Sequence, residues 1–227
     1  MCKTCVTVSP SRLHRRASYG TIQGVPELTA SSLMEHHEAA KTLVALLEGN
    51  GRFVAGEPRF KRDIVSARQH APGQTPTAAV FTCIDSRVTA ESVFDCDFGQ
   101  LLVVRTAGHV PDRAAVGSLE FAAAELGVSL VVVLGHERCG AINAALHAVE
   151  ADTHDPRTDY LVEQLWQPAS QALAETPEGE DAAPKALRLQ VRRTVADLGR
   201  RENLDGVLVV GAVYDLDTGE VTLIEEN

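Results

Sequence analysis

Three side chains that can bind a metal lie in two short blocks of this 227-residue sequence. Cys83 opens the block Cys-Ile-Asp-Ser-Arg, and His136 and Cys139 bound the block His-Glu-Arg-Cys. Two thiolates and one imidazole are the ligands of a type of catalytic zinc site that keeps a fourth position open. Water at such a position becomes a nucleophile at neutral pH, because Zn²⁺ lowers its pKa from about 15.7 to about 7. The two blocks therefore predict a zinc enzyme with one Zn²⁺ per chain.

Each block directly follows a short apolar run, residues 78–82 in the first case and residues 130–134 in the second. Short, β-branched runs bounded by Pro and Gly are typical of parallel strands covered on both faces. Ligands of such sheets bind where the strands end at their carboxyl edge. We therefore expect Cys83, His136 and Cys139 to meet at that edge. The alternative is that all three are ordinary core residues, and their shared position after strands argues against it.

An acidic and a basic residue follow Cys83 closely. Asp85 and Arg87 stand two and four residues after it, so the Asp85 carboxylate can reach the same metal and is a candidate fourth ligand. Arg87 can restrain that carboxylate, because a guanidinium pairs with a carboxylate through two parallel hydrogen bonds. The alternative is a surface ion pair that fixes the loop and contributes little to stability.

The rest of the sequence alternates predicted strands with predicted helices. The first helix is expected over residues 32–47, with Gly49 ending it, and Asp217-Thr-Gly219 between alternating apolar residues predicts a terminal hairpin. This order predicts an α/β fold with a mostly parallel central sheet, flanking helices and an antiparallel C-terminal edge hairpin. Residues 31–227 are expected to form a single zinc-binding domain. Residues 1–30 are expected to be a disordered basic extension, with an organelle transit segment as the less favoured alternative.

Composition excludes several classes of protein. The net charge of −10 argues against a nucleic-acid partner, because no excess of Lys and Arg is available to neutralise phosphates. No apolar run approaches the roughly 18 residues that a membrane span requires. The five cysteines are odd in number and widely spaced, and no secretory signal precedes them, which favours free thiols over a disulfide framework. We therefore expect a cytoplasmic protein with no nucleic-acid or membrane partner.

Three segments together resemble the β-class carbonic anhydrase family. They are Cys-Ile-Asp-Ser-Arg from Cys83, Val-Val-Arg-Thr-Ala-Gly from Val103, and Gly-His-Glu-Arg-Cys-Gly from Gly135, and the similarity extends from about residue 33 to residue 224. The resemblance implies reversible hydration of CO₂ to bicarbonate and a proton by zinc-bound hydroxide. It implies that Cys83, His136 and Cys139 are the zinc ligands, and that Asp85 and Arg87 form the dyad that orients the hydroxide.

The resemblance also implies a substrate pocket shared between subunits. Gln74 matches a glutamine that donates a hydrogen bond to substrate, and Leu102, Ala107 and Phe121 match apolar residues around a CO₂-sized pocket. In the family, the residues matching Gln74 and Phe121 come from the neighbouring subunit. A dimer or a tetramer with the site at the dimer interface is therefore expected.

The sequence departs from the family pattern in two places. Thr106 and His109 replace common asparagines, which puts details around the ligands in doubt. Some bacterial members have an inhibitory bicarbonate pocket made of Trp, Arg and Tyr. Arg105 and Tyr214 match two of these residues, but Val80 stands in place of the Trp, so bicarbonate regulation is less favoured here.

Three other functions are compatible with parts of the pattern. The same scaffold hydrolyses COS or CS₂ in some family relatives, and no motif separates those substrates from CO₂. A catalytically silent zinc-site binding protein would need Asp85 as a permanent fourth ligand. A cysteine-based redox protein is the least favoured, because Cys83 and Cys139 lack Cys-x-x-Cys spacing.

Overall fold

A five-stranded sheet crosses the part of the chain that the computed structural model describes, residues 36–153 and 155–224. Its strands lie in the order β2–β1–β3–β4–β5. They are β1 (Ala78–Cys83), β2 (Leu101–Thr106), β3 (Leu130–His136), β4 (Leu208–Tyr214) and β5 (Val221–Leu223). The first four are parallel and β5 pairs antiparallel with β4, which confirms the predicted α/β fold and its C-terminal edge hairpin.

Helices cover both faces of the sheet. They are α1 (His37–Val54), α2 (Ile64–His70), α3 (Ala90–Val93), α4 (Arg113–Leu126), α5 (Gly140–Ala151), α6 (Asp159–Glu175) and α7 (Ala183–Leu198). Apolar residues of α1 and α3 pack on one face, and those of α4 to α7 pack on the other. Every residue of β1 and β3 is consequently buried, as expected for central parallel strands. No helix of the described residues combines the length and apolar character needed to cross a membrane.

The predicted end of the first helix was wrong. The helix α1 continues past Gly49 to Val54. Gly49 lies against the Phe94 carbonyl oxygen, and a Cβ atom at this position would overlap that oxygen. The glycine therefore serves close packing rather than termination. The predicted start at residue 32 and the predicted extension 1–30 lie outside the described residues.

A buried carboxylate fixes the segment between α1 and α2. Asp95 accepts hydrogen bonds from Arg52 Nε at 2.7 Å, from the Arg59 backbone N–H at 2.8 Å and from the Phe60 backbone N–H at 3.3 Å. Burial alone would raise the pKa of Asp95, but these donors outweigh it and lower the pKa. The helix α2, which Asp63 caps at its start, follows this segment and was missed by the sequence analysis.

Candidate metal centre

The three predicted metal ligands meet at the carboxyl edge of the sheet. Cys83 ends β1, His136 ends the adjacent strand β3, and Cys139 immediately precedes α5. The sulfur atoms of Cys83 and Cys139 lie 3.9 Å apart, although the two residues are 56 positions apart in the chain. With a ring nitrogen of His136, these atoms all lie within 4.8 Å of one another, and all three residues are buried. The strand ends thus bring together the group that the sequence analysis expected.

The imidazole of His136 presents a free lone pair. Its Nδ1 lies 2.9 Å from the Glu137 carbonyl oxygen, and a carbonyl can only accept, so the proton is on Nδ1. The other nitrogen, Nε2, is buried and has no hydrogen-bond partner among the described residues. Such a carbonyl contact commonly orients a metal-binding histidine. A buried, unpartnered Nε2 beside two thiols fits Zn²⁺.

The two thiols are held in unequal electrostatic surroundings. The contact between the two sulfur atoms is the main reason that the pKa of Cys83 is lowered and that of Cys139 is raised. The Gly108 backbone N–H also donates to Cys83 sulfur, at 3.3 Å. Thiolate is the form that binds metal, so the Gly108 N–H contact favours the metal-binding form of Cys83.

A tight turn after β2 presents that N–H group. Gly108 and His109 both adopt left-handed backbone conformations, with φ of 61° and 43°, and the Thr106 hydroxyl donates to the Val110 carbonyl at 2.8 Å. His109 is fully buried, packs edge-on against Phe81, and burial lowers its pKa to about 4. Thr106 and His109 therefore shape the turn that contacts Cys83. Neither His109 ring nitrogen has a hydrogen-bond partner among the described residues.

Asp85 and Arg87 form the two-pronged pair that their spacing predicted. One Asp85 oxygen accepts from the Arg87 backbone N–H and from Nε, both at 2.9 Å, and the other accepts from Nη2 at 2.7 Å. Hydrogen bonds from the Arg87 side chain are the main reason that the pKa of Asp85 lies well below its usual range. The second oxygen also lies 4.0 Å from His136 Nε2. The carboxylate is thus bound to arginine while it remains beside the predicted metal ligands.

The predicted substrate-pocket residues are divided between two places. Gln74, Leu102 and Phe121 line a cleft of about 590 Å³ between β2 and α4, and none of the metal ligands lines it. Ala107 instead lies directly after β2, in the turn beside Cys83. Phe121 is 59% exposed in the single chain. Within one chain, the four predicted pocket residues therefore do not form a single pocket around the predicted metal ligands of that chain.

Arg105 takes a position that the sequence analysis did not foresee. Its guanidinium donates from Nε to the Cys83 carbonyl at 2.9 Å and from Nη2 to the Asp85 carbonyl at 2.6 Å. Tyr214, which the sequence analysis paired with Arg105, is buried at the end of β4, and Val80 is buried within β1. Arg105 lies on β2 and Tyr214 lies on β4, and strands β1 and β3 separate those two strands. Only the position of Arg105 at the end of a strand hinted at its contacts.

A second cavity, of about 470 Å³, adjoins the metal ligands from the side of α5 and α7. His136 and Cys139 form part of its wall, with Ile142, Leu146 and Leu187 among its apolar residues. Nearby, carboxylate oxygens of Glu137, Asp215 and Asp217 lie within 4.8 Å of one another. Sequence reasoning identified neither feature, because the residues come from segments that are distant in the chain.

Comparison with known proteins places this fold and site in a family. The carbonic anhydrase family model matches residues 78–221. Carbonic anhydrase 2 of Mycobacterium tuberculosis is 43% identical over 187 residues, covering 79% of this chain and 89% of the relative. Carbonic anhydrase of Mycolicibacterium smegmatis is 39% identical, covering 79% of this chain and 90% of the relative. The β-carbonic anhydrase CafA of Aspergillus fumigatus superposes with a TM-score of 0.63 at 25% identity, covering 81% of this chain and 90% of that one. With its Cys-His-Cys group at the carboxyl edge of the sheet, the chain belongs to the β-carbonic anhydrase family.

Proposed function

We propose that the protein is a carbonate dehydratase, a lyase that converts CO₂ and water reversibly to bicarbonate and a proton. The observation that carries the proposal is the convergence of two thiols and an unpartnered imidazole nitrogen beside an arginine-bound carboxylate. Cys83, His136 and Cys139 would hold one Zn²⁺ per chain. Bound Zn²⁺ supplies a Lewis acid that makes water nucleophilic at neutral pH.

The protein groups around that ion have separate tasks. The Glu137 carbonyl holds His136 in the tautomer whose Nε2 is free to bind metal. The Gly108 N–H supports the Cys83 thiolate. Asp85, kept ionised by Arg87, can accept a hydrogen bond from the reacting water and so orient its lone pair toward CO₂. Because Arg87 binds both carboxylate oxygens, Asp85 is restrained from becoming a fourth ligand itself.

A second copy of the chain would complete the substrate pocket. Phe121 and Ile84 expose 59% and 61% of their surface, and β2 is an edge strand with no neighbour on its outer side within the described residues. Exposed apolar side chains beside an unpaired strand edge favour association. We propose that Gln74 and Phe121 of one subunit face the metal centre of another, in a dimer or a tetramer. Leu102 and Ala107 would supply further apolar surface for CO₂.

We also propose a cytoplasmic location. Cys83, Cys96 and Cys139 are free thiols, and a reducing compartment keeps thiols available for metal.

Metal analysis combined with kinetics tests the function. Wild type should contain one zinc per chain and hydrate CO₂ in a stopped-flow assay, whereas Cys139→Ser should lose most of its zinc and its activity. Cys96→Ser is the matched control, because Cys96 is also a buried free thiol, whose pKa burial raises to about 11. It should keep both zinc and activity.

Near-full zinc in Cys139→Ser would overturn the ligand assignment. A parallel assay with COS decides the substrate, since faster turnover of COS than of CO₂ would replace carbonate dehydratase by COS hydrolase. A zinc-loaded wild type that turns over neither substrate would support the alternative of a catalytically silent zinc-site binding protein.

A further inference from the structure

Arg105 binds the main chain at Cys83, a proposed metal ligand, and at Asp85, the carboxylate beside the metal site. Residue 105 lies beside Thr82 in the pairing of β2 with β1, one position before the strand ends. From there its guanidinium spans the Cys83 and Asp85 carbonyl oxygens, at 2.9 and 2.6 Å. Hydrogen bonds from a charged donor are stronger than neutral ones, and a planar guanidinium fixes the direction of both acceptors. The contact therefore fixes the peptide group that follows Cys83 and the one that follows Asp85.

Few other contacts fix this stretch of main chain after it leaves the sheet. The Ile84 N–H donates to the Thr106 carbonyl at 3.2 Å, and the Val88 N–H donates to the Asp85 carbonyl at 3.0 Å. Ile84 itself is mostly exposed and contributes little packing. Arg105 thus supplies two charge-assisted bonds to main-chain carbonyls of this loop. They add to the backbone hydrogen bonds and to the Arg87 side chain, which pairs with Asp85 and donates to the Arg138 carbonyl at 3.4 Å.

The Asp85 side chain depends on that loop for its direction. Its carboxylate pairs with Arg87, but this pair joins side chains only two positions apart and does not by itself fix the direction of the main chain that carries Asp85. One carboxylate oxygen is only 4.0 Å from His136 Nε2. A modest rotation of the Asp85 peptide would therefore turn the carboxylate from Arg87 toward the metal ligands.

We infer that Arg105 is a positioning residue that keeps the fourth metal position open by bracing the Cys83 and Asp85 carbonyls. The inference rests on the proposed metal site, although it does not depend on which substrate the enzyme uses. Without these two hydrogen bonds, the Asp85 carboxylate could bind the metal and occupy its fourth position. Lysine would be a poor replacement, because one ammonium group lacks the planar fork that spans two carbonyls.

Anion binding to the cobalt-substituted protein tests the inference without an activity assay. Azide can bind the metal only where a position is open, and the visible absorption of Co²⁺ reports both its binding and the ligands present. Arg105→Gln should bind azide at least about tenfold more weakly than wild type, a typical effect of losing a residue that supports metal ligands. Arg105→Lys should lie between them. The double variant Arg105→Gln/Asp85→Asn should recover azide binding, because a neutral amide competes poorly for the metal.

Arg193→Gln is the matched control. Arg193 also donates to a main-chain carbonyl, that of Gln164 at 3.2 Å, but it joins α7 to α6 and should leave azide affinity unchanged. Unchanged azide affinity in Arg105→Gln or in Arg105→Lys, with circular dichroism like that of wild type, would overturn the inference. So would weakened binding that Asp85→Asn fails to restore. A wild type that binds no Co²⁺ would instead refute the proposed metal site.

Discussion

Two Asp-x-Arg segments of this chain form nearly the same pair in different surroundings. In Asp85–Arg87, the carboxylate accepts from the backbone N–H and Nε at 2.9 Å and from Nη2 at 2.7 Å. In Asp155–Arg157, the corresponding distances are 3.0, 3.0 and 2.6 Å. Both arginines lower the pKa of their carboxyl partner, that of Asp155 to about 2. The pair is therefore a local property of the segment.

What differs is the surroundings of each carboxylate. The Asp85 side chain is 17% exposed and lies beside His136, whereas Asp155 and Arg157 are 44% and 87% exposed in the loop before α6. Asp85 has two competing cationic partners, arginine and the proposed metal, but Asp155 has only its arginine among the described residues. A lowered pKa and good pair geometry consequently do not identify a functional carboxylate. The residues that surround the carboxylate identify it instead.

A third carboxylate, Asp95, extends the comparison to the interior, and its loss should cost the most free energy. Asp95→Asn should lower the free energy of unfolding at pH 7 by about 3 kcal/mol, because breaking a buried ion pair leaves arginine charge uncompensated. Asp95 has a left-handed φ of 45°, which asparagine also tolerates, so the substitution should not change the backbone. Urea titration gives the free energy, and zinc content and activity per folded molecule should stay at wild-type values.

The pH dependence of that difference follows from the lowered pKa of Asp95. Its stabilising effect is complete above the pKa of an unfolded aspartate, about 3.9, and disappears as the pH falls through the lower folded value. The gap between wild type and Asp95→Asn should therefore narrow below about pH 4. A gap that stays constant down to pH 2 would show that the charge of Asp95 is not the cause.

Removing the arginine at the metal centre should affect activity rather than stability. Arg87→Ala should retain its zinc and lose at least about 10²-fold in CO₂ hydration, the scale of losing a positioned catalytic group. The physical reason is that Asp85 would lose its restraint and become free to take the open metal position. Zinc analysis and stopped-flow rates of the same preparation measure both effects. Activity close to that of wild type would mean that the dyad is only a loop-fixing pair.

The same change in the exposed pair should have the smallest effect. Arg157→Ala removes equivalent hydrogen bonds from Asp155, but water replaces them at low cost. We expect unchanged zinc content, CO₂ hydration and urea midpoint. A loss of activity comparable with that of Arg87→Ala would refute the conclusion that surroundings separate the two pairs.

Much of the sheet and the ligand group could be predicted, because both depend on short-range patterns. Apolar β-branched runs predicted β1 and β3, and parallel topology then brought Cys83, His136 and Cys139 to one edge. Gly49 misled the prediction, since a glycine that ends a helix and one that admits a neighbouring carbonyl look identical in sequence. Arg105 was missed because its partners are backbone atoms, which leave no residue-specific signal.

The separation of Cys83 and Cys139 by 56 residues bears on how the protein would acquire the proposed metal. The three proposed ligands converge only when β1 and β3 already lie side by side, so no short segment supplies all three of them during synthesis. Extensive apolar packing on both faces of the sheet can hold those strands together unaided. Metal loading is then a late event on a finished scaffold. Removing the metal with a chelator should abolish activity without unfolding the protein. Adding the metal back should restore activity without a refolding step.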